Sequence, residues 1–142
     1  MTITPGYWTE ATATGGGRNG VASLASGMLT ITHASPTELG GSGKGHNPEE
    51  LFALGWSGCY LGAMRYVAQT EKLGAVPDAA TVTAKVGMGG RSEGGFGLKV
   101  TLTVSMPGLD RATSEKIAER AHFICPYSHA TKGNIEVETV VV

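Results

Sequence analysis

The side chains best suited to nucleophilic redox chemistry in this chain are its only two cysteines, Cys59 and Cys125. A cysteine acts as a nucleophile only as the thiolate, and an unperturbed thiol, with a pKa near 8.5, is mostly protonated at pH 7. A cation is therefore required. Cys59 stands in Gly55-Trp56-Ser57-Gly58-Cys59-Tyr60-Leu61-Gly62, and its helical neighbours one turn away are Gly55, Trp56, Gly62 and Ala63, none of them charged. The cation must come from elsewhere, and Arg18, the one cation of Gly15-Gly16-Gly17-Arg18-Asn19-Gly20, is the natural candidate. Two plainer readings stand beside this one: small cysteines often serve only as core packing, and a loop arginine is often only solvated.

The 142 residues suit one domain, 1–142, and a hydrophobic fraction of 41% against 16% charged residues suits a globular core. A net charge of -1 offers no basic footprint for nucleic acid or for an anionic membrane surface. The N-terminal Met1-Thr2-Ile3-Thr4-Pro5-Gly6 lacks the charged start and apolar run of a secretory signal, so a cytoplasmic location is expected. The apolar stretch from Leu51 to Met64 is interrupted by Arg65 and falls short of the roughly 20 residues a spanning helix needs. In a reducing compartment, two cysteines that pair do so transiently and chemically rather than as a permanent staple.

The elements that must position these residues follow from the pattern. Short alternating runs at Tyr7 to Thr14, Val21 to Ala25 and Met28 to Thr32, the last two separated by Ser26-Gly27, predict a small antiparallel unit with a hairpin. Asn47, Pro48, Glu49 and Glu50 read as cap, first helical position and acidic first turn of a long helix ending about Leu73, before Gly74. Two strands, Thr81 to Met88 and Phe96 to Met106, flank a hairpin loop, and Pro107-Gly108 marks a break. A second helix from about Arg111 places Ile117, Ala121, Ile124 and Cys125 on one apolar face. It cannot pass smoothly through Pro126, so Cys125 sits at a kink before a short helix ending near Gly133. Ile135 to Val142 is strand-like, and the whole predicts an α+β domain.

Gly55, Gly58 and Gly62 leave one stripe of the first helix bare, at roughly 0.5–1 kcal/mol each relative to alanine. Close approach of another helix is the ordinary compensation. Taken in order, Gly16-Gly17-Arg18-Asn19-Gly20, Asn47-Pro48-Glu49-Glu50-Leu51-Phe52-Ala53 leading to Gly55-Trp56-Ser57-Gly58-Cys59, and Cys125-Pro126-Tyr127-Ser128-His129-Ala130-Thr131-Lys132-Gly133-Asn134 resemble the signatures of the organic hydroperoxide resistance proteins, the Ohr branch of the OsmC/Ohr family. The resemblance implies an OsmC/Ohr-like fold and the reduction of organic hydroperoxides. Cys59 is then the peroxidatic thiolate, Cys125 the resolving thiol that forms an intramolecular disulfide, Arg18 the residue that stabilises the thiolate, and Glu49 the carboxylate that holds Arg18. It further implies a dithiol reductant such as dihydrolipoyl groups, no bound metal or prosthetic group, and a homodimer.

On one straight helix, ten residues separate Glu49 from Cys59 by about 15 Å of rise and roughly 80° of rotation, so the two cannot meet directly. Two copies packed antiparallel through the glycine stripe would bring Glu49 of one near Cys59 of the other, with Arg18 between, hence an expected intertwined dimer. Phe96 and Tyr127, which flank motif loops, are candidates to line an apolar channel for the organic tail.

Other readings have their own residues. His122, Cys125 and His129 would share a face of a continuous helix as metal ligands, with His33 or His46 in reserve, but Pro126 argues against that continuity. Gly55-Trp56-Ser57-Gly58 fails to complete a nucleophile elbow because Cys59 follows. An OsmC-type peroxidase with a broader peroxide range is the nearest relative of the main reading.

Overall fold

Asn47 caps the long helix as its sequence predicts. Its side-chain oxygen accepts from the Glu50 amide at 2.9 Å, and the Glu50 carboxylate lies 3.4 Å from the Asn47 amide. This reciprocal capping satisfies two amides that the helix itself leaves unpaired. The computed structural model describes residues 2–142. The chain divides into two compact units, Met1–Leu51 and Phe52–Val142.

The first unit holds a three-stranded antiparallel sheet of β1 (Ala11–Thr14), β2 (Val21–Leu24) and β3 (Thr30–Thr32), and the start of helix α1 (Pro48–Thr70). The expected first strand is shorter than its alternation implied, because β2 offers ladder partners only from Val21 to Leu24. Residues 7–10 lie outside the strand, and Tyr7 and Trp8 are exposed. Gly27, in the turn between β2 and β3, takes a φ of 72°, which a side chain rarely adopts. His33 and His46 form an isolated parallel bridge that ties the end of β3 to the approach of α1.

In the second unit α1 runs to Thr70, short of the expected Leu73, because Lys72 turns left-handed (φ 54°). The Leu73 amide then bonds back to the Ala68 carbonyl at 3.0 Å, a Schellman-type closure made by lysine rather than by Gly74. Strands β4 (Thr81–Gly90) and β5 (Phe96–Ser105) form the expected hairpin, two residues longer at the β4 end than predicted. Helix α2 (Arg111–Ile124) is capped by Asp110, whose side chain accepts from the Thr113 amide at 3.0 Å. The six-residue α3 (Pro126–Thr131) and β6 (Glu136–Val141) follow, and β6 adds parallel to β5.

The hydrophobic core lies in this second unit. Trp56, Tyr60 and Met64 of α1, Val100, Leu102 and Val104 of β5, and Ile117 and Ala121 of α2 are all fully buried. Alternation along β5 sends Val100, Leu102 and Val104 to one face, and each such side chain contributes about 1.5–3 kcal/mol by leaving water. Both cysteines are fixed against this core. The predicted α+β order of strands, helix, hairpin, kinked helix and final strand is the observed one.

Candidate active site

Cys59 lies midway along α1, and Cys125 is the single residue between α2 and α3. Pro126 has no amide hydrogen and stands at the first position of α3, so α2 must end before it. Cys125 therefore adopts an extended conformation (φ -67°, ψ 120°). Its amide donates to the Ala121 carbonyl at 2.8 Å, and its carbonyl accepts from the His129 amide at 3.0 Å. The kink aims the side chain inward, where it is completely buried and its Sγ lies 3.6 Å from Cys59 Sγ. Both are free thiols, and Cys59 is only partly buried.

An aromatic wall adjoins the pair. Tyr127, directly after the kink, stacks on Trp56 (centroids 6.3 Å apart, 25° between planes) and meets Phe52 edge-on at 5.5 Å. Phe52 and Trp56 meet edge-on at 5.4 Å. Gly55 makes room for this wall, since a Cβ there would overlap the Tyr127 hydroxyl group. The first glycine of the stripe thus makes room for Tyr127 of α3 in the same chain. At Gly58 and Gly62 a Cβ would meet no atom within 4 Å, so both face open space.

The surroundings oppose ionisation of Cys59. Burial pushes its thiol up, the neighbouring Cys125 adds to this, and the Tyr127 backbone amide pulls the other way. A nucleophilic thiolate here needs an added positive charge.

The first unit holds a charged pair of its own. Arg18 donates from Nη1 to Glu49 Oε2 at 3.0 Å and from Nη2 to Glu49 Oε1 at 2.6 Å, a two-bond fork of the strong kind. The loop bearing Arg18 closes on Gly20, where a Cβ would collide with the Thr14 carbonyl. The guanidinium holds the Glu49 carboxyl below its usual range, chiefly through their hydrogen bonds, and the carboxylate raises Arg18 in return. The side chain of Arg18 is 45% exposed and that of Glu49 16%. This pair forms within one chain.

Of the predicted site residues, then, Cys59, Cys125 and Tyr127 come together in one unit, and Arg18 and Glu49 in the other. Phe96 is 76% exposed at the head of β5 and takes no part in the aromatic wall. The metal-ligand reading of His122, Cys125 and His129 lacks its geometry: among the described residues no three His, Cys, Asp or Glu side chains are disposed to hold an ion. His122 instead meets two hydroxyl groups, with Nδ1 3.0 Å from Ser128 Oγ and Nε2 2.8 Å from Thr139 Oγ1. Phe52 and Trp56 were not among the candidates, although their four-residue spacing places them on one helix face.

Comparison with known proteins decides the lineage. A family model described as OsmC-like protein matches residues 41–140. The chain belongs to the OsmC-like family. An organic hydroperoxide resistance protein of Xanthomonas axonopodis pv. citri is 45% identical to it over 132 residues, covering 92% of this chain and 91% of the relative. The crystal structure of an organic hydroperoxide resistance protein from Elizabethkingia anophelis superposes with a TM-score of 0.90 at 43% identity, covering 98% of each chain. One from Legionella pneumophila gives 0.90 at 38% identity, covering 97% of this chain and 98% of that one. This OsmC-like protein therefore lies in the organic hydroperoxide resistance branch, with the fold of those structures. Among the described residues no helix is long and apolar enough to cross a membrane.

Proposed function

We propose that this protein is a thiol peroxidase that reduces organic hydroperoxides to alcohols, with Cys59 as the attacking thiol and Cys125 as the resolving one. The observation that carries the reading is the 3.6 Å approach of two free thiols in different settings, one partly open on a helix and one buried at a kink. The names of the relatives supply the substrate class.

In the first step the Cys59 thiolate attacks the distal peroxide oxygen. An S–O bond forms, the O–O bond breaks, and the alkoxide takes a proton to leave as the alcohol. Sulfur is oxidised to a sulfenic acid. In the second, Cys125 sulfur attacks Cys59 sulfur, the S–S bond forms, and the displaced hydroxide leaves as water with the proton of Cys125. A dithiol of the dihydrolipoyl kind then reduces the disulfide by exchange and becomes a disulfide itself. The reducing compartment this needs is the cytoplasm.

Arg18 supplies the charge that Cys59 lacks, and Glu49 orients its fork. The wall of Phe52, Trp56 and Tyr127 takes the organic tail. Phe96, exposed at the head of β5, joins that wall from a second copy of the chain. Leu54, Gly58, Gly62 and Tyr66 recur every four residues along α1 and are all exposed, which supports a homodimer built on helix-to-helix contact there.

The reading is tested by adding tert-butyl hydroperoxide to the reduced protein and mapping thiols by mass spectrometry. The expected product is a Cys59–Cys125 disulfide within one chain, with a sulfenic acid trapped on Cys59 in Cys125→Ser. Consumption of hydrogen peroxide as fast as of the organic peroxide would favour the broader OsmC-type activity instead.

A further inference from the structure

We propose that His122 is a positioning residue for disulfide closure: by bonding to Ser128 across the Cys125–Pro126 kink, it holds Cys125 in line with Cys59. The inference rests on the reading of Cys59 and Cys125 given above.

A disulfide requires sulfurs about 2.05 Å apart, so the observed 3.6 Å must shorten by about 1.5 Å when the bond forms. Cys59 has little freedom to supply that movement, because Trp56 and Tyr60 on either side of it are fully buried in the core. The freedom lies at Cys125. There the backbone leaves the helical conformation, and a single hydrogen bond on each side, to Ala121 and from His129, links the residue to its flanking helices. Pro126 contributes no donor at this junction.

His122 spans that junction. It sits one turn before Cys125 on α2, while Ser128, which it meets through Nδ1 at 3.0 Å, lies three residues after Cys125 on α3. Through Nε2 it reaches Thr139 of β6 at 2.8 Å, so the kink is referred to the sheet as well. The imidazole also packs on the ring of Tyr60, centroids 4.8 Å apart. Tyr60 follows Cys59 directly and donates its hydroxyl to the Ala118 carbonyl of α2. The histidine thus stands between the two cysteine-bearing elements and touches both. Burial favours the neutral ring, in which one nitrogen donates and the other accepts, and the two hydroxyl groups can complement either tautomer.

In the second step Cys125–SH and Cys59–SOH become the disulfide and one water, and His122 takes no part in that balance. Its contribution is alignment, which predicts a split between steps. Two isosteres separate its two bonds. An asparagine amide takes the place of Nδ1 and retains the link to Ser128, whereas a glutamine amide takes the place of Nε2 and retains only Thr139.

The experiment follows Cys59 sulfenic acid and the Cys59–Cys125 disulfide separately, by dimedone trapping and quenched mass spectrometry after a single addition of tert-butyl hydroperoxide. His122→Gln and Ser128→Ala are expected to form sulfenic acid at the wild-type rate but to condense about five- to tenfold more slowly, the effect of one lost hydrogen bond, while His122→Asn stays within about twofold. Thermal unfolding of the same variants separates alignment from general stability, since a merely structural role would lower melting without changing the ratio of the two rates. Equal slowing in the asparagine and glutamine variants, or wild-type condensation in Ser128→Ala, would overturn the role of His122 alone. A wild type that forms no Cys59–Cys125 disulfide would overturn the two-cysteine reading with it.

Discussion

Arg18 with Glu49 and Cys59 with Cys125 are built on opposite terms. The first pair is fully charged, is partly exposed, and joins a glycine loop to a helix cap by two short hydrogen bonds. The second is packed against a hydrophobic core, where burial pushes Cys59 away from its charged form. A guanidinium keeps its charge readily beside water and a carboxylate, whereas two sulfurs keep a close alignment only where the core holds them. Under the proposed mechanism, alignment and activation come from different regions, and each can be perturbed separately.

The largest effect is expected from the thiol pair. Cys59→Ser should lower organic peroxide consumption at least about a thousandfold, because the nucleophile itself is gone. Cys125→Ser should leave the first turnover intact and stop the later ones, as seen in a burst of alcohol equal to the enzyme present. Breaking the charged pair should act more mildly. Arg18→Ala is expected to raise the pKa for Cys59 alkylation and slow the first step about 10–100-fold, with Arg18→Lys recovering only part because a point charge cannot reproduce the fork. An alkylation profile unchanged with pH would separate the two regions functionally and end the role of Arg18.

The glycines sharpen the contrast within α1. Gly55→Ala drives a methyl into Tyr127 and should cost about 1–3 kcal/mol in thermal unfolding. Gly58→Ala meets nothing in its own chain, so a stabilisation of about 0.5–1 kcal/mol is expected for a monomer. If the stripe is a dimer seam, sedimentation should show weaker association in the same variant.

The smallest effect concerns pH. Arg18 holds the Glu49 carboxyl below the ordinary glutamate value of 4.5, so its stabilisation is complete above that pH and is lost as pH falls through the lowered value. Wild type should therefore exceed Glu49→Gln in stability by at most about 1 kcal/mol at neutral pH, and melting curves taken in acid should show the gap closing.

Much of this was legible in the chain. Asn47-Pro48-Glu49-Glu50 announces a helix start because capping is local chemistry, and Pro126 announces the kink at Cys125 because proline removes a donor wherever it falls. The ends of elements were less legible. Tyr7 to Glu10 alternate like a strand yet lie outside the ladder, since its length depends on β2, and α1 stops at a left-handed Lys72 that no local rule favours over Gly74. The parallel addition of β6 to β5 left no mark in either segment.

The sequence by itself determined the two thiols, the arginine, the carboxylate and the helix starts and kink near them, because residue type, capping and proline geometry act over a few positions. Only the tertiary structure decided that 66 residues of separation close to 3.6 Å between sulfurs, that Gly55 exists for Tyr127, and that His122 bonds to hydroxyl groups rather than serving as a metal ligand. Those outcomes depend on how helices and sheet pack around one core, and packing is a property of all its residues together rather than of any short run of them.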